Sequence, residues 1–410
     1  MEWTAVIGQE EVKDRLRSLI VADRVPHALM LCGKTGYGSL ALALAFASAL
    51  LCDRTRQRIM PQAFSGGGLF GDEDPLADSA VAPRTIDDAE ACGTCSQCKM
   101  LREWHHPDLH FTFPTVKLPS MTAQHKPVSD DFMAEWYGML VNDGPYVTMN
   151  MWAERMKATT QQAIITAAES DAIARKLSLK SSQGGYKVAV VWLAERMNEE
   201  SANKILKTLE EPAPDTVFIL VVEQPERLLE TILSRVQRID VPPIGQESLA
   251  QALVRRRGLD EDTATRLARA TEGNWIEAVE QLLPDSEQRQ FLDLFVMLMR
   301  LVYKRDVKGM KGWSDAAAAL GREKQKRMIT YFLRMVREAF MSNFHDPRLT
   351  YMTREEEDFV TRFGQYINED NVIEMTALWE LALRDIAQNT NQKIVFYDTS
   401  LRLTSLLARR

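Results

Sequence analysis

Short, almost continuous apolar runs alternate with helical patterns in the first half of this chain, and that alternation restricts the fold more than any other feature. The runs lie at 27–32, 108–113, 187–193, 217–222 and 238–241. Strands of this composition are buried on both faces, as in a parallel sheet covered by helices. Helical patterns such as 40–51 and 198–211 separate them, as β-α-β units require. The alternation predicts an open α/β domain with a parallel sheet.

No strand pattern follows residue 241. The stretch 246–283 is typical of short helices, and from 287 onward apolar residues recur at spacings of three and four. Because 410 residues are too many for one ordinary core, we predict three domains. They are an α/β domain at 1–242, a small helical lid at 243–284 and a helical collar or oligomerisation domain at 285–410. Within the first, 53–91 and 118–156 fit the pattern poorly and are predicted insertions.

Composition excludes several classes of protein. Hydrophobic residues make up 45% of the chain and charged residues 26%, as in ordinary soluble domains. The net charge of −7 argues against a protein that coats nucleic acid by bulk electrostatics. No apolar run reaches the length of about 18 residues that spans a bilayer, and the first residues carry no secretion signal. We therefore expect a cytoplasmic protein with no membrane partner.

A glycine-rich loop follows the first predicted strand. Its sequence is Gly-Lys-Thr-Gly-Tyr-Gly-Ser-Leu at 33–40, with glycines at 33, 36 and 38. Phosphate loops of this kind use backbone N–H groups to hold phosphate, while a lysine and a following hydroxyl residue serve the γ-phosphate and Mg²⁺. Ser39 and Leu40 stand at those two positions. We predict a degenerate phosphate loop at Gly33, Gly36, Gly38 and Ser39 that does not support hydrolysis; a glycine turn without any ligand is the simpler alternative.

The acidic residues that an ATPase needs are also missing, at the end of the third predicted strand. In a working ATPase it would end in two acidic residues, one for Mg²⁺ and one for the attacking water. Trp192 and Leu193 stand there instead. Glu195 follows two residues later, and we interpret it as a surface or capping carboxylate rather than a catalytic base.

Three of the five cysteines are clustered at Cys92, Cys95 and Cys98. This spacing lets sulfur atoms converge on one tetrahedral ion, and reduced thiols in a cytoplasmic protein point to metal rather than disulfides. A fourth ligand is needed, for which His105 and His106 are candidates. Cys32 lies in a predicted buried strand and is interpreted as a core residue.

The stretch 198–237 resembles the AAA+ subunits of bacterial clamp loaders, which carry an LLKTLEEP-type helix end and a Ser-Arg-Cys motif. The matching segments are 205–212 and 234–236, where Val236 replaces the cysteine. With Gly-Gln at 8–9 and Pro-His-Ala at 26–28, the similarity covers roughly residues 5–285. It implies a AAA+ (P-loop NTPase-like) domain, a lid and a helical collar. The subunit type with a degenerate phosphate loop is the nearest match.

The resemblance also assigns individual residues. It implies that Arg235, together with Ser234, is an arginine finger acting on a neighbouring subunit's ATP. The alternative is a surface arginine paired with Asp240 or Glu230. The resemblance also places the polar residue that ends the sensing strand at Val222 and the sensor arginine of the lid at Ile276. Both residues are apolar in this chain.

The metal assignment and the function follow from the same resemblance. Cys52 corresponds to the family's first thiol ligand, which implies a structural Zn²⁺ held by Cys52, Cys92, Cys95 and Cys98. The implied function is a non-hydrolysing scaffold that neither binds nor hydrolyses ATP. It would work with gamma or tau and delta subunits to load the sliding clamp onto primer-template DNA.

The resemblance places the complex in the DNA polymerase III holoenzyme, a nucleotidyltransferase, while the chain itself has no polymerase or ATPase activity. An alternative is an active gamma/tau-like ATPase with an atypical phosphate loop. A zinc-dependent DNA-binding module is a third hypothesis, although no basic and aromatic patch adjoins the cysteines.

Overall fold

We describe the protein from a computed structural model, which covers residues 1–59, 85–122, 124–158, 161–282, 287–346, 349–388 and 390–408. Most of the predicted insertion at 53–91 lies outside the described residues. The described chain forms two compact units. The N-terminal unit comprises 1–248 with 274–276, and the C-terminal unit comprises 249–273 with 277–410. The three-domain division stays a prediction.

A parallel sheet of five strands forms the centre of the N-terminal unit in the described part of the chain. The strands are β1 Ala28–Cys32, β2 Leu109–Thr112, β3 Lys187–Trp192, β4 Thr216–Val222 and β5 Gln237–Asp240. Their order is β2-β3-β4-β1-β5, so β1 lies between β4 and β5. Every residue of β1, β3 and β4 is buried, as the continuous apolar runs predicted. The predicted parallel α/β sheet is confirmed.

Helices surround this sheet. In the N-terminal unit they are α1 Glu10–Val21, α2 Ser39–Leu50, α3 Asp53–Ile59, α4 Ser96–Arg102, α5 Met133–Asn142, α6 Met149–Arg155, α7 Ala167–Ser178, α8 Glu199–Glu210 and α9 Glu230–Leu233. All twelve residues of α2 are buried. A helix that is apolar on every side is stable only when it is enclosed, so α2 is part of the core and not a cover over it.

The stretch 118–156 belongs to this core. It carries α5 and α6, whose side chains Trp136 and Trp152 are fully buried. Trp136 stacks on Phe113 at a ring-centroid distance of 4.5 Å and lies 5.2 Å from Trp192 at the end of β3. We call these four residues the aromatic cluster. The helix α7, which the sequence analysis did not predict, follows this stretch and leads into β3.

The C-terminal unit is helical throughout its described residues. The remaining helices of the chain are α10 Gln246–Arg257, α11 Glu261–Ala270, α12 Trp275–Gln281, α13 Glu287–Lys304, α14 Val307–Ala318, α15 Arg322–Ser342, α16 Arg354–Phe363, α17 Val372–Ala387 and α18 Gln392–Leu406. Phe295, Trp313, Phe332 and Trp379 lie at the centre of its core, each at most 1% exposed. The predicted helical region after 287 is confirmed. None of the described helices is long and apolar enough to cross a membrane.

Candidate functional site

The loop between β1 and α2 is the candidate nucleotide site, and the structure places Gly33, Gly36, Gly38 and Ser39 in it. Helix α2 begins at Ser39, so Ser39 and Leu40 occupy its first turn. Both are buried, with exposed fractions of 6% and 5%. The Ser39 hydroxyl has no hydrogen-bond partner in the described part of the chain. Neither side chain can neutralise the charge of a phosphate, because one is a neutral hydroxyl and the other a hydrocarbon.

Groups of the protein itself cover this loop. The Asn274 Nδ2 donates to the Thr35 carbonyl at 3.0 Å, and the Trp275 N–H donates to the Gly36 carbonyl at 3.3 Å. Gly36 is buried with φ of +89°, and a Cβ built on it would lie 1.8 Å from Asn274 Oδ1. Only glycine fits at this position, because any side chain would collide with Asn274 and would have to adopt a positive φ.

A second cover comes from Tyr146. Its hydroxyl accepts a hydrogen bond from the Ile7 N–H at 2.8 Å and lies 3.3 Å from the position of a Cβ on Gly38. Its ring centroid is 5.9 Å from that of Trp275. The sequence analysis missed Tyr146, Asn274 and Trp275. They lie more than a hundred residues from the loop, and no local pattern connects them to it.

The apolar residues at the end of β3 are core residues. Trp192 and Leu193 are 2% and 1% exposed. Trp192 lies in the aromatic cluster against Trp136, so the position expected to hold a magnesium-binding acid is filled by ring packing. The two predicted sensing positions are also buried, with Val222 at 0% and Ile276 at 8% exposure.

The expectation that Glu195 lies at the surface is wrong, whereas its carboxylate does accept a hydrogen bond from a backbone amide. Its exposed fraction is 7%, and its Oε1 accepts from the Glu223 N–H at 3.2 Å. Glu223 in turn accepts from the Thr35 hydroxyl at 2.5 Å. Burial raises the pKa of both carboxyl groups above the usual range. Glu195 thus links the end of β3 to the end of β4 beneath the phosphate loop.

Arg235 follows α9, directly after Ser234. Its Nη2 forms an ion pair with Glu210 Oε1 at 2.7 Å, and its Nη1 donates to the Thr231 carbonyl at 2.8 Å. The side chain is 37% exposed. The surface alternative named Asp240 or Glu230 as the partner, but Asp240 pairs with Arg238 and the partner of Arg235 is Glu210.

The cysteines form a compact group. The sulfur atoms of Cys52, Cys92, Cys95 and Cys98 all lie within 4.8 Å of one another. Backbone N–H groups point at three of them: Cys92 N–H to Cys52 Sγ at 3.3 Å, and the N–H groups of Cys95 and Cys98 to the preceding sulfur at 3.4 Å each. Amide donors favour the thiolate form, which is the form that binds metal. This arrangement can hold a metal ion.

The other candidate ligands are engaged elsewhere. Both ring nitrogens of His106 are hydrogen-bonded, one to Gln97 Oε1 at 2.7 Å and one to the Asp108 N–H at 3.0 Å. His105 packs on Tyr137 with ring centroids 4.5 Å apart. Cys32 is buried in β1 and is not among the four clustered thiols. The structure therefore brings together the four cysteines that the family resemblance implied.

The pKa values of Cys52 and Cys98 are shifted in opposite directions. A hydrogen bond from the Cys98 thiol lowers the pKa of Cys52 to about 3, and the same contact together with burial raises the pKa of Cys98. One thiolate is thus already favoured. A bound cation is the physical means of favouring the others, because it offsets repulsion between sulfur charges.

Contacts with Trp3, Arg17 and Thr55 hold the segment just before the three clustered cysteines in place. Trp3 Nε1 donates to the Ala89 carbonyl at 3.0 Å, and the Trp3 N–H donates to Glu90 Oε1 at 3.2 Å. Arg17 pairs with the second oxygen of Glu90 at 3.3 Å, and the Thr55 hydroxyl donates to the Glu90 carbonyl at 2.9 Å. These contacts position Cys92, Cys95 and Cys98 over Cys52.

Comparison with known proteins shows which proteins this chain resembles. Residues 75–245 match the family described as DNA polymerase III, delta subunit. The delta' subunit of DNA polymerase III from Bacillus subtilis is 26% identical over 275 residues, which are 66% of this chain and 58% of that protein. The delta' subunit from Pseudomonas aeruginosa is 28% identical over 56% of this chain and 47% of that protein. This chain is similar to the delta' subunits of DNA polymerase III.

The matched regions span about half the length of these curated delta' relatives. The tau/gamma subunit from Haemophilus influenzae is also similar, at 23% identity over 66% of this chain and 28% of that protein. Among solved structures, a gamma subunit-related protein from Thermotoga maritima is 14% identical, with a TM-score of 0.39 over 96% of this chain and 99% of that one. A TM-score this low supports no inference about function.

Proposed function

We propose that this chain is a non-hydrolysing scaffold subunit of the DNA polymerase III clamp loader, and that it supplies Arg235 to the ATP site of a neighbouring subunit. The assignment as a non-hydrolysing subunit rests on the phosphate loop, which we call closed because side chains of the protein itself cover it. Ser39 and Leu40 are buried where a lysine and a magnesium-binding hydroxyl are needed, and Asn274 and Trp275 bind the loop backbone. The end of β3 supports it, because Trp192 is a core side chain.

The second part is supported by the exposure and position of Arg235. A guanidinium group at a subunit edge can stabilise charge that develops on a γ-phosphate during hydrolysis, an effect of about 10³ to 10⁵ in rate. Arg235 lies two residues after the short helix α9 with 37% of its side chain exposed, and its only charged partner among the described residues is Glu210. The fork shape of the guanidinium makes lysine a poor substitute.

The four clustered cysteines support a structural Zn²⁺. Four thiolates close the coordination sphere and leave no position for water, so the metal would stabilise the fold and not act in catalysis. Cys52 lies just after α2, whereas the other three lie on and before α4. A zinc ion would therefore cross-link two segments about forty residues apart, and its binding energy would contribute to folding.

The proposed partners are active subunits of the gamma or tau type, a delta subunit and, through the assembled loader, the sliding clamp and primer-template DNA. Relatives of both the delta-prime and the tau kind support this assignment. Unlike subunits that assemble head to tail can leave one position without a working site of its own. The collar is expected to hold the subunits together.

Reconstitution tests the proposal. The full chain is assembled with gamma or tau and delta subunits, using a complex whose ATP sites away from this chain are inactivated by substitution. Arg235→Ala is expected to lower the remaining ATPase kcat by about 10³-fold or more, and Arg235→Lys is expected to rescue little of it. Arg238→Ala is the matched control, because Arg238 is an exposed arginine near the same edge.

The isolated chain provides the second test. It is expected to hydrolyse no ATP and to show no binding of Mg²⁺-ATP by calorimetry. Tight binding, with turnover that is lost on substitution of Ser39, would instead support the active gamma/tau-like alternative. Unchanged ATPase in the Arg235→Ala complex would remove the arginine-finger role.

A further inference from the structure

The guanidinium of Arg235 is divided between two kinds of acceptor. On one side, Nη1 donates to the carbonyl of Thr231 in α9 at 2.8 Å and to the hydroxyl of Ser234 directly after α9 at 3.2 Å, and both acceptors are neutral. On the other side, Nη2 pairs with the Glu210 carboxylate at 2.7 Å. The first set orients the group and carries no charge. The Glu210 carboxylate forms the only ion pair of Arg235 in the described part of the chain.

Glu210 lies at an intrinsically unfavourable place. It is the last residue of α8, where the helix dipole presents partial negative charge, so an acidic side chain there is disfavoured unless a cation compensates it. Arg235 supplies that cation. The pair is exposed, with 37% and 48% of the side chains accessible, and pairs of this kind are weak and easily exchanged.

We propose that Glu210 is a latch for Arg235: its carboxylate occupies Nη2 until a γ-phosphate of the neighbouring subunit replaces it. This rests on the proposed arginine-finger function and adds its regulation. A phosphate offers several oxygens to the guanidinium, and it competes with Glu210 most strongly in the transition state, when negative charge develops on the γ-phosphate. Meanwhile the Thr231 carbonyl and Ser234 hydroxyl keep Nη1 in position.

The latch has a measurable consequence. Because Glu210 competes with phosphate, its removal increases the fraction of Arg235 that is available at the moment of hydrolysis. The strength of an exposed ion pair corresponds to about 1.5-fold to 5-fold in that fraction. The change is expected in kcat, with little change in KM, because Arg235 acts on the bound nucleotide in the transition state.

The experiment uses the reconstituted clamp loader in which only the ATP site next to this chain is active. Glu210→Gln keeps the side-chain shape and removes its charge, and it is expected to raise kcat about 1.5-fold to 5-fold. Glu211→Gln is the matched control. Glu211 is exposed and adjacent, has no recorded ion pair in the part of the chain that the structure describes, and is expected to leave kcat unchanged. In an Arg235→Ala background, Glu210→Gln is expected to have no effect.

The outcomes separate the two proposals. If Arg235→Ala lowers kcat but Glu210→Gln leaves it unchanged or lowers it, the latch is wrong and the arginine finger stands. If Glu210→Gln raises kcat equally with and without Arg235, Glu210 acts through another group and the latch is wrong. If Arg235→Ala has no effect, both proposals are wrong. Copurification of each variant with the other subunits checks that assembly is intact.

Discussion

Replacement of Gly36 by alanine tests the closed phosphate loop most directly. Gly36 has φ of +89°, and an added Cβ would lie 1.8 Å from Asn274 Oδ1. The backbone conformation alone costs alanine about 1–2 kcal/mol. Displacement of Asn274 also removes its hydrogen bond to the Thr35 carbonyl, which is worth about 0.5–1.5 kcal/mol. We expect Gly36→Ala to lower the free energy of unfolding by about 1.5–3.5 kcal/mol.

A second glycine provides a matched control. Gly144 has φ of +80°, and a Cβ built on it meets no atom within 4 Å. Gly144→Ala therefore carries the backbone cost of about 1–2 kcal/mol without the collision. Urea unfolding monitored by tryptophan fluorescence gives the free energy of each variant. The difference between the two glycine variants isolates the contact with Asn274.

The double variant Gly36→Ala with Asn274→Ala sharpens the test. Asn274→Ala alone loses the bond to Thr35 and the contact from the Ile276 N–H to Asn274 Oδ1, at a cost of about 0.5–2 kcal/mol. In the double variant the collision is absent and the bond to Thr35 is not lost twice. The two costs should therefore fall short of additivity by about 0.5–1.5 kcal/mol. Equal costs for Gly36→Ala and Gly144→Ala, or strict additivity in the double variant, would refute the reasoning.

Three further predictions concern the rest of the N-terminal unit. Trp136→Ala empties the centre of the aromatic cluster and should lower the free energy of unfolding by about 3–5 kcal/mol, whereas Val141→Ala on the same helix, 57% exposed, should change it little; urea titration compares them. Cys98→Ser should reduce the zinc content, measured by elemental analysis, from one ion per chain to well below one, and Cys32→Ser should retain it. Burial raises the pKa of Glu195, so the folded state loses stability as pH rises from the unfolded pKa through the folded one. Glu195→Gln should therefore be more stable than the wild type at pH 7, with a difference that shrinks toward pH 4 in urea titrations; a difference that grows on acidification would contradict the assigned burial.

Much of the fold follows from local pattern. A strand buried on both faces must be apolar at every position, so β1, β3 and β4 were visible as continuous runs. The helices after residue 287 were visible because one face of each lies in the core, which imposes spacings of three and four. The stretch 118–156 was not readable in this way. Trp136 and Trp152 lie on short helices and find their partners on β3 and in the segment after β2.

For the candidate sites, the amino-acid sequence alone determined which chemistry is missing or present: no lysine at position 39 and no hydroxyl at position 40 of the phosphate loop, no acids at positions 192 and 193, and three thiols at metal-binding spacing. Residue type and spacing suffice for such statements, because the chemistry belongs to the side chains themselves. Only the tertiary structure decided that Asn274 and Tyr146 cover the loop, that Glu195 is buried and that Glu210 holds Arg235. Each of these depends on atoms brought together from distant parts of the chain, and the packing of the whole unit determines which atoms meet.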